Sequence, residues 1–261
     1  MTNPITLNDP AFWVVSIPAA LLFGISKGGF GGGLGIVAVP LMSLVMSPVQ
    51  AAGILLPMLL VLDAAGIRAF WGHWDWPSFR LLGGGAVLGI AAGGLTFGLV
   101  SADAIRLLVG AVALAFSAYH YYRQWRPLDL AGRSGGSVVG VAAGLASGYT
   151  STLAHAGSPP VTMYLLPKGL PRQQFVATTV ILFALINATK LIPYGLLGQL
   201  APGNVAAAGA LVPAGLLGLW LGIRLQRLLS ERWFYHICYG LLVLVGVRLL
   251  YDGGLQLLAA G

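Results

Sequence analysis

Gly24-Ile-Ser-Lys-Gly-Gly-Phe-Gly-Gly-Gly-Leu-Gly-Ile-Val-Ala-Val-Pro40 sets one lysine, Lys27, and seven glycines between Gly24 and Gly35 into an otherwise apolar run. Glycine costs about 1 kcal/mol relative to alanine inside a helix, so this density implies a membrane helix that breaks here or packs very closely. Lipid cannot satisfy free backbone N–H and C=O groups. A break at membrane depth must therefore be buried in protein or line a water-filled cavity. A lysine at such a break is a candidate for function.

Composition places the rest of the chain in a bilayer. Of 261 residues, 57% are hydrophobic and 8% charged, against about 25% charged in a soluble domain. Long apolar segments recur from Ala11 to Tyr251, as an integral membrane protein requires. The net charge of +7 is small; it falls mostly on loops of one side and reads as a topology signal, not as a nucleic-acid footprint. Cys238 is the single cysteine, so no internal disulfide exists. The first ten residues carry no Lys or Arg, and no small-residue cleavage pattern follows Phe12 to Phe23, so a secretory signal peptide is not expected.

The apolar segments fall into two sets, 11–26, 34–46, 49–70, 79–100 and 103–122, then 137–153, 158–166, 174–192, 204–223 and 234–251. A shift of 120 residues superposes Gly24 on Gly144, Gly28 on Gly148 and Pro40 on Pro160. After a small insertion Pro48-Val-Gln50 meets Pro171-Arg-Gln173, and Gly110 meets Gly240. Many transporters are built from such repeats. The expected organisation is a first membrane repeat at 11–123, a cytoplasmic basic linker at 124–136 and a second repeat at 137–252.

Charge distribution then selects the topology. If the first two segments of each set form a hairpin, Arg68, Arg80, the basic-stretch residues Arg123, Arg126 and Arg133, Lys168, Arg172, Arg224, Arg227 and Arg232 all face the cytoplasm, with both termini outside. Segments 34–46 and 158–166 are also shorter than the roughly 20 residues needed to cross. The fold class expected is an all-α integral membrane protein of two inverted repeats, each a broken re-entrant helical hairpin plus about three transmembrane helices. Its site would lie at mid-membrane where the hairpins meet.

Candidate substrate-binding residues sit at the two breaks. In the first, Lys27 would attract an anion with help from backbone N–H groups at Gly28, Gly29, Gly31 and Gly32; the alternative is a lysine that snorkels or pairs with Asp63. In the second, Ser147 to Pro160 offers the donors Tyr149, Thr150, Ser151, Thr152, His155 and Ser158. Convergent hydroxyls and amides suit an oxyanion without burying another full charge, although small hydroxylated residues also serve helix packing in membranes. Asp63 and His155 are the candidates for proton coupling, with Asp63 alternatively neutralising Lys27 or Arg68. Gln50, Gln173, Thr178 and Asn187 are entrance or secondary positions, and Asn187 falls on Asp63 at an offset of 124. Lys190, near the end of its segment, is expected to snorkel. Trp71, Trp74 and Trp76 read as an interfacial belt. His73, His120, His155 and His236 lack ligand spacing, and no catalytic triad is suggested, so no metal, cofactor or enzymatic residue is expected.

With these residues in view, the chain resembles the TauE/SafE sulfite exporter family, also called TSUP, the 4-toluene sulfonate uptake permease family. The resemblance rests on Gly24-Ile-Ser-Lys-Gly-Gly-Phe-Gly-Gly-Gly-Leu-Gly with Pro40, on His155-Ala-Gly-Ser-Pro-Pro-Val-Thr-Met-Tyr-Leu-Leu-Pro, on Phe175-Val-Ala-Thr-Thr-Val and on Asn187-Ala-Thr-Lys-Leu-Ile-Pro-Tyr. It implies a multi-pass carrier of the bacterial inner membrane that moves small sulfur-containing anions such as sulfite or organosulfonates, usually outward. Where many members have a run of glycines, this chain has Thr152-Leu-Ala-His-Ala-Gly157. An anion channel and a non-transporting accessory protein are the rival readings. The partners expected are the anion and the lipid bilayer, with no nucleic acid and with assembly as a homo-oligomer left open. If Lys27 binds the anion, Lys27→Ala is expected to abolish transport in liposomes and leave the protein folded.

Overall fold

The computed structural model describes residues 7, 9–29, 35–97, 102–125, 136–225 and 231–260. Among them there are ten α-helices and no strands. They are α1 (Pro10–Gly29), α2 (Ala38–Met42), α3 (Pro48–Ala69), α4 (Trp76–Phe97), α5 (Ala102–Trp125), α6 (Ser137–Ala154), α7 (Ser158–Leu165), α8 (Arg172–Leu196), α9 (Pro202–Leu225) and α10 (Glu231–Ala260), with single 3-10 turns at Gly35–Val37 and Leu166–Lys168. Six of them, α1, α3, α4, α5, α8 and α9, are long and apolar enough to cross a membrane. Large apolar side chains such as Val14, Leu95 and Leu196 point outward, as a surface solvated by lipid allows.

The helices follow the apolar segments closely, with one difference at the quoted stretch. The helix does not stop near Ser26 but continues to Gly29, so Lys27 lies in its last turn. Gly31, Gly32 and most of the basic linker, with Arg126 and Arg133, lie outside the described residues, as does Arg227. The second arms are short: α2 has 5 residues and α7 has 8. At about 1.5 Å per residue neither approaches the thickness of a bilayer.

The two sets of helices exchange partners. α1 packs along α9, and its counterpart α6 packs along α4. α3 and α8 pack on each other at the centre, and α5 lies against α10. Both crossings are made by glycines spaced four apart. A Cβ added at Gly24 or Gly28 of α1 would collide with the Gly215 or Leu219 carbonyl of α9, and one at Gly218 or Gly222 would strike the Leu21 or Ile25 carbonyl of α1. The other crossing repeats this with Gly85 and Gly89 of α4 against Val141 and Leu145, and with Gly144 and Gly148 of α6 against Leu82 and Ala86. Lipid supplies no hydrophobic drive between helices, so close backbone contact through small residues is what holds such pairs together.

Local chemistry sets the ends. Ser47 caps α3 by accepting the Gln50 N–H at 3.1 Å, with Pro48 at the first helical position. α6 ends at His155, whose backbone is left-handed (φ 50°), the one such non-glycine residue among those described. The His155 N–H returns to the Ser151 carbonyl at 2.9 Å, and α7 opens three residues later at Ser158, with Pro159 and Pro160 in its first turn. The last carbonyls of α6 are thus satisfied where the chain passes from α6 to α7.

Replacing Gly144 by valine should push α6 off α4 and cost at least the 1 to 3 kcal/mol typical of overpacking. Gly84→Ala, where an added Cβ meets nothing within 4 Å, should be near neutral. Thermal unfolding in detergent, read by loss of the monodisperse peak, checks the pair.

Candidate functional site

Five helix segments converge at the α6–α7 junction. Phe23, Lys27, Leu59, Ser151, His155, Ser158, Phe183 and Asn187 line a small, partly open cavity. Lys27 comes from the last turn of α1, Leu59 from α3, Ser151 and His155 from the end of α6, Ser158 from the start of α7, and Phe183 and Asn187 from α8. Its lining is mostly apolar, and the polar groups on it are a cation, an imidazole, an amide and two hydroxyls.

The charges are buried and organised in two groups. Lys27 forms an ion pair with Asp63, both side chains only 4% exposed. Asn187 donates its amide to the other carboxylate oxygen of Asp63 at 2.8 Å. Two residues that the 124-residue offset superposes are thus hydrogen-bonded to each other. The second group is Lys190 with His155. The His155 Nε2–H donates to the Ala52 carbonyl of α3 at 3.0 Å, and the Lys190 ammonium lies 2.6 Å from His155 Nδ1. Lys190 also donates to the carbonyl and hydroxyl of Ser151, each at 3.1 Å. A cation on the last carbonyls of a helix is favourably placed. The Ser158 hydroxyl is buried, faces the cavity and has no protein partner.

Lys190 does not snorkel. It is fully buried, because α8 runs six residues beyond it and α6 covers it. The signal available in the sequence was its spacing: Lys190 stands three residues after Asn187, which puts both on the face of α8 that meets Asp63. Phe23, Leu59 and Phe183 were not singled out either, since nothing in their spacing separates a cavity wall from ordinary core.

The remaining candidates are distributed as follows. Thr150 and Thr152 donate their hydroxyls back to Ala146 and Gly148 of their own helix, each at 2.8 Å. Tyr149 is half-buried and packs against the main apolar core. Gly28 faces α9, and the Gly29 carbonyl accepts from Arg172 at 3.4 Å. Gln50 lies in the capped first turn of α3, and Gln173 is exposed at the start of α8. Thr178 ties down the loop before α4 by accepting the Asp75 N–H at 2.8 Å. None of these side chains lines the cavity. Among the described residues no group of three or more His, Cys, Asp or Glu is arranged to hold a metal ion.

Six helices of membrane-spanning length and apolarity, three of which line an internal cavity together with α6 and α7, define a multi-pass membrane protein with an internal site. Residues 16–249 match the family described as Sulfite exporter TauE/SafE, and the chain belongs to that family of membrane transporters. No curated protein and no solved structure matches it.

The ion pair changes what is expected of Lys27. Lys27→Ala alone would strand Asp63 unpaired in the interior, at a cost of about 3 to 5 kcal/mol, so this variant should unfold at a markedly lower temperature. Lys27→Met combined with Asp63→Leu should recover most of that loss, and the two melting curves together check whether the pair is the cause.

Proposed function

We propose that this protein is a secondary transporter that carries small sulfur-containing anions, sulfite or an organosulfonate, outward across the bacterial inner membrane. The observation that carries the reading is the charge balance of the site. Lys27, Asp63 and the Lys190–His155 pair together hold one formal positive charge more than negative. Buried charge is tolerated when it is paired, and an anion in the cavity would complete the pairing. Ser158 offers a hydroxyl without a protein partner, Ser151 and Asn187 offer further polar atoms, and Phe23, Leu59 and Phe183 suit the carbon end of an organosulfonate. Membership of the sulfite exporter family points to the same cargo.

Alternating access would follow from two inverted repeats, 11–123 and 137–252, joined by the cytoplasmic linker and each carrying a re-entrant hairpin, α1 with α2 and α6 with α7. Several observations support this reading. The second arms are too short to cross; the glycine crossings of α1 on α9 and of α6 on α4 are alike; and Asp63 meets its counterpart Asn187. With the site at the interface of the repeats, rocking one against the other would expose it to each side in turn.

Counterflow in liposomes tests the proposal. Vesicles loaded with unlabelled sulfite or methanesulfonate and given trace labelled anion outside should accumulate label transiently, and vesicles loaded with chloride should not. Ser158→Ala should raise the half-saturating concentration about tenfold, the loss of one hydrogen bond to a charged ligand. Equilibration without counterflow would indicate a channel instead.

A further inference from the structure

Resting on the anion-carrier reading, we infer that Lys190 and His155 together form a one-proton site, and that this proton crosses the membrane with the anion. The hydrogen bonds define the site. His155 Nε2–H is committed to the Ala52 carbonyl, so Nδ1 presents its lone pair to Lys190, 2.6 Å away. One proton fits between two nitrogens at that distance. With that proton present, the Lys190 ammonium has a partner for each of its three N–H groups: Nδ1, the Ser151 carbonyl and the Ser151 hydroxyl. When it leaves, the Ser151 hydroxyl can turn and donate to the free nitrogen, since a serine oxygen both donates and accepts. Neither state strands a buried polar group, as a site that is loaded and emptied once per cycle requires.

The neighbouring charges leave this pair as the part that must change. The groups facing Lys190 are Lys27 from α1, Asp63 from α3, His155 from α6 and, on its own helix, the Tyr194 ring, 5.8 Å from the ammonium. α4, which also packs on α8, brings only Arg80, and that residue is exposed. Lys27 and Asp63 cancel each other. With the pair protonated the empty site carries one positive charge, and a bound monoanion makes it neutral. With the pair deprotonated the empty site is neutral. Unbalanced charge is costly at membrane depth, so the two states that reorient readily are anion with proton and neither. On the loading side an N–H bond forms with a proton drawn from water, leaving hydroxide there. On the release side that N–H bond breaks and the proton returns to water as the anion departs. Lys190 lies behind Ser151 and His155 and does not itself line the cavity, so it acts on the anion through charge.

The test uses methanesulfonate, which carries one negative charge throughout the working pH range, so any proton that moves with it is carried by the protein. Wild-type protein is reconstituted in liposomes that hold a pH dye, with the membrane potential clamped by potassium and valinomycin. Counterflow and net uptake are recorded on the same preparation. The expected result is one proton entering per methanesulfonate, uptake insensitive to the clamped potential, and an apparent affinity that falls about tenfold per pH unit once the pair is mostly deprotonated. Lys190→Gln should bind more weakly and lose that pH dependence. His155→Asn, which tolerates the left-handed backbone, should lose it too, and the wild-type stoichiometry decides for or against coupling whether or not both variants fold. Counterflow without acidification, with flux that follows the potential, would overturn the proton site and leave the anion carrier standing. Acidification and pH-linked affinity that persist in both variants would also overturn it. Absence of counterflow with every sulfur anion would overturn the carrier reading and this inference with it.

Discussion

Charge buried where water cannot reach it has to be answered by other buried groups, and the centre of this molecule is arranged around that need. Lys27, Asp63 and Lys190 are each 3% exposed or less, and they come from three different helices. An isolated ion in such a place would cost several kcal/mol. Holding them within hydrogen-bond distance fixes how α1, α3, α6 and α8 stand relative to one another. Asp63 answers Lys27 and takes the amide of Asn187. Lys190 is answered by a helix end, a serine and an imidazole, none of which is an anion. In the proposed carrier, that asymmetry is what would attract negative cargo.

The close approach of the helices makes this arrangement reachable. α1 and α9, like α4 and α6, touch along glycines whose missing side chains leave room only for the opposing backbone. Seen this way, the glycines of the opening stretch have divided duties. Gly24 and Gly28 belong to a helix crossing, and Gly35 opens the 3-10 turn before the short α2. The same division recurs in the second half. Gly144 and Gly148 make the crossing, and the chain leaves α6 through left-handed His155 before entering α7. A residue that closes a helix and at the same time reaches across to α3 and α8 ties the turn to the site.

Much of this was legible from residue order alone. Apolar runs of sufficient length locate membrane helices because the bilayer fixes the length a helix must have. The internal match at Gly24 and Gly144, Gly28 and Gly148 marks related elements, and the resemblance to the sulfite exporters covers nearly the whole chain. Lys27 and Asp63 stood out because an ionisable residue in an apolar segment is costly to keep. Asn187 was reached through its offset from Asp63, although it read as a secondary position. Lys190 was misjudged because distance from the end of an apolar run does not say what covers that end.

The sequence by itself determined the solvent, the helical segments and the presence of cationic groups at depth, since all of these depend on composition and spacing along one chain. The tertiary structure alone decided which hydroxyls face the cavity, that Lys27 is already paired, and that Lys190 stands 2.6 Å from His155 Nδ1. Thr150, Thr152, Ser151 and Ser158 are the same kind of donor within nine residues. Two donate to carbonyls of their own helix, one meets Lys190 and one is left open to the cavity. The physical reason is that hydrogen-bond partners and charge balance are set by distances between helices, and no periodicity along a single helix contains those distances.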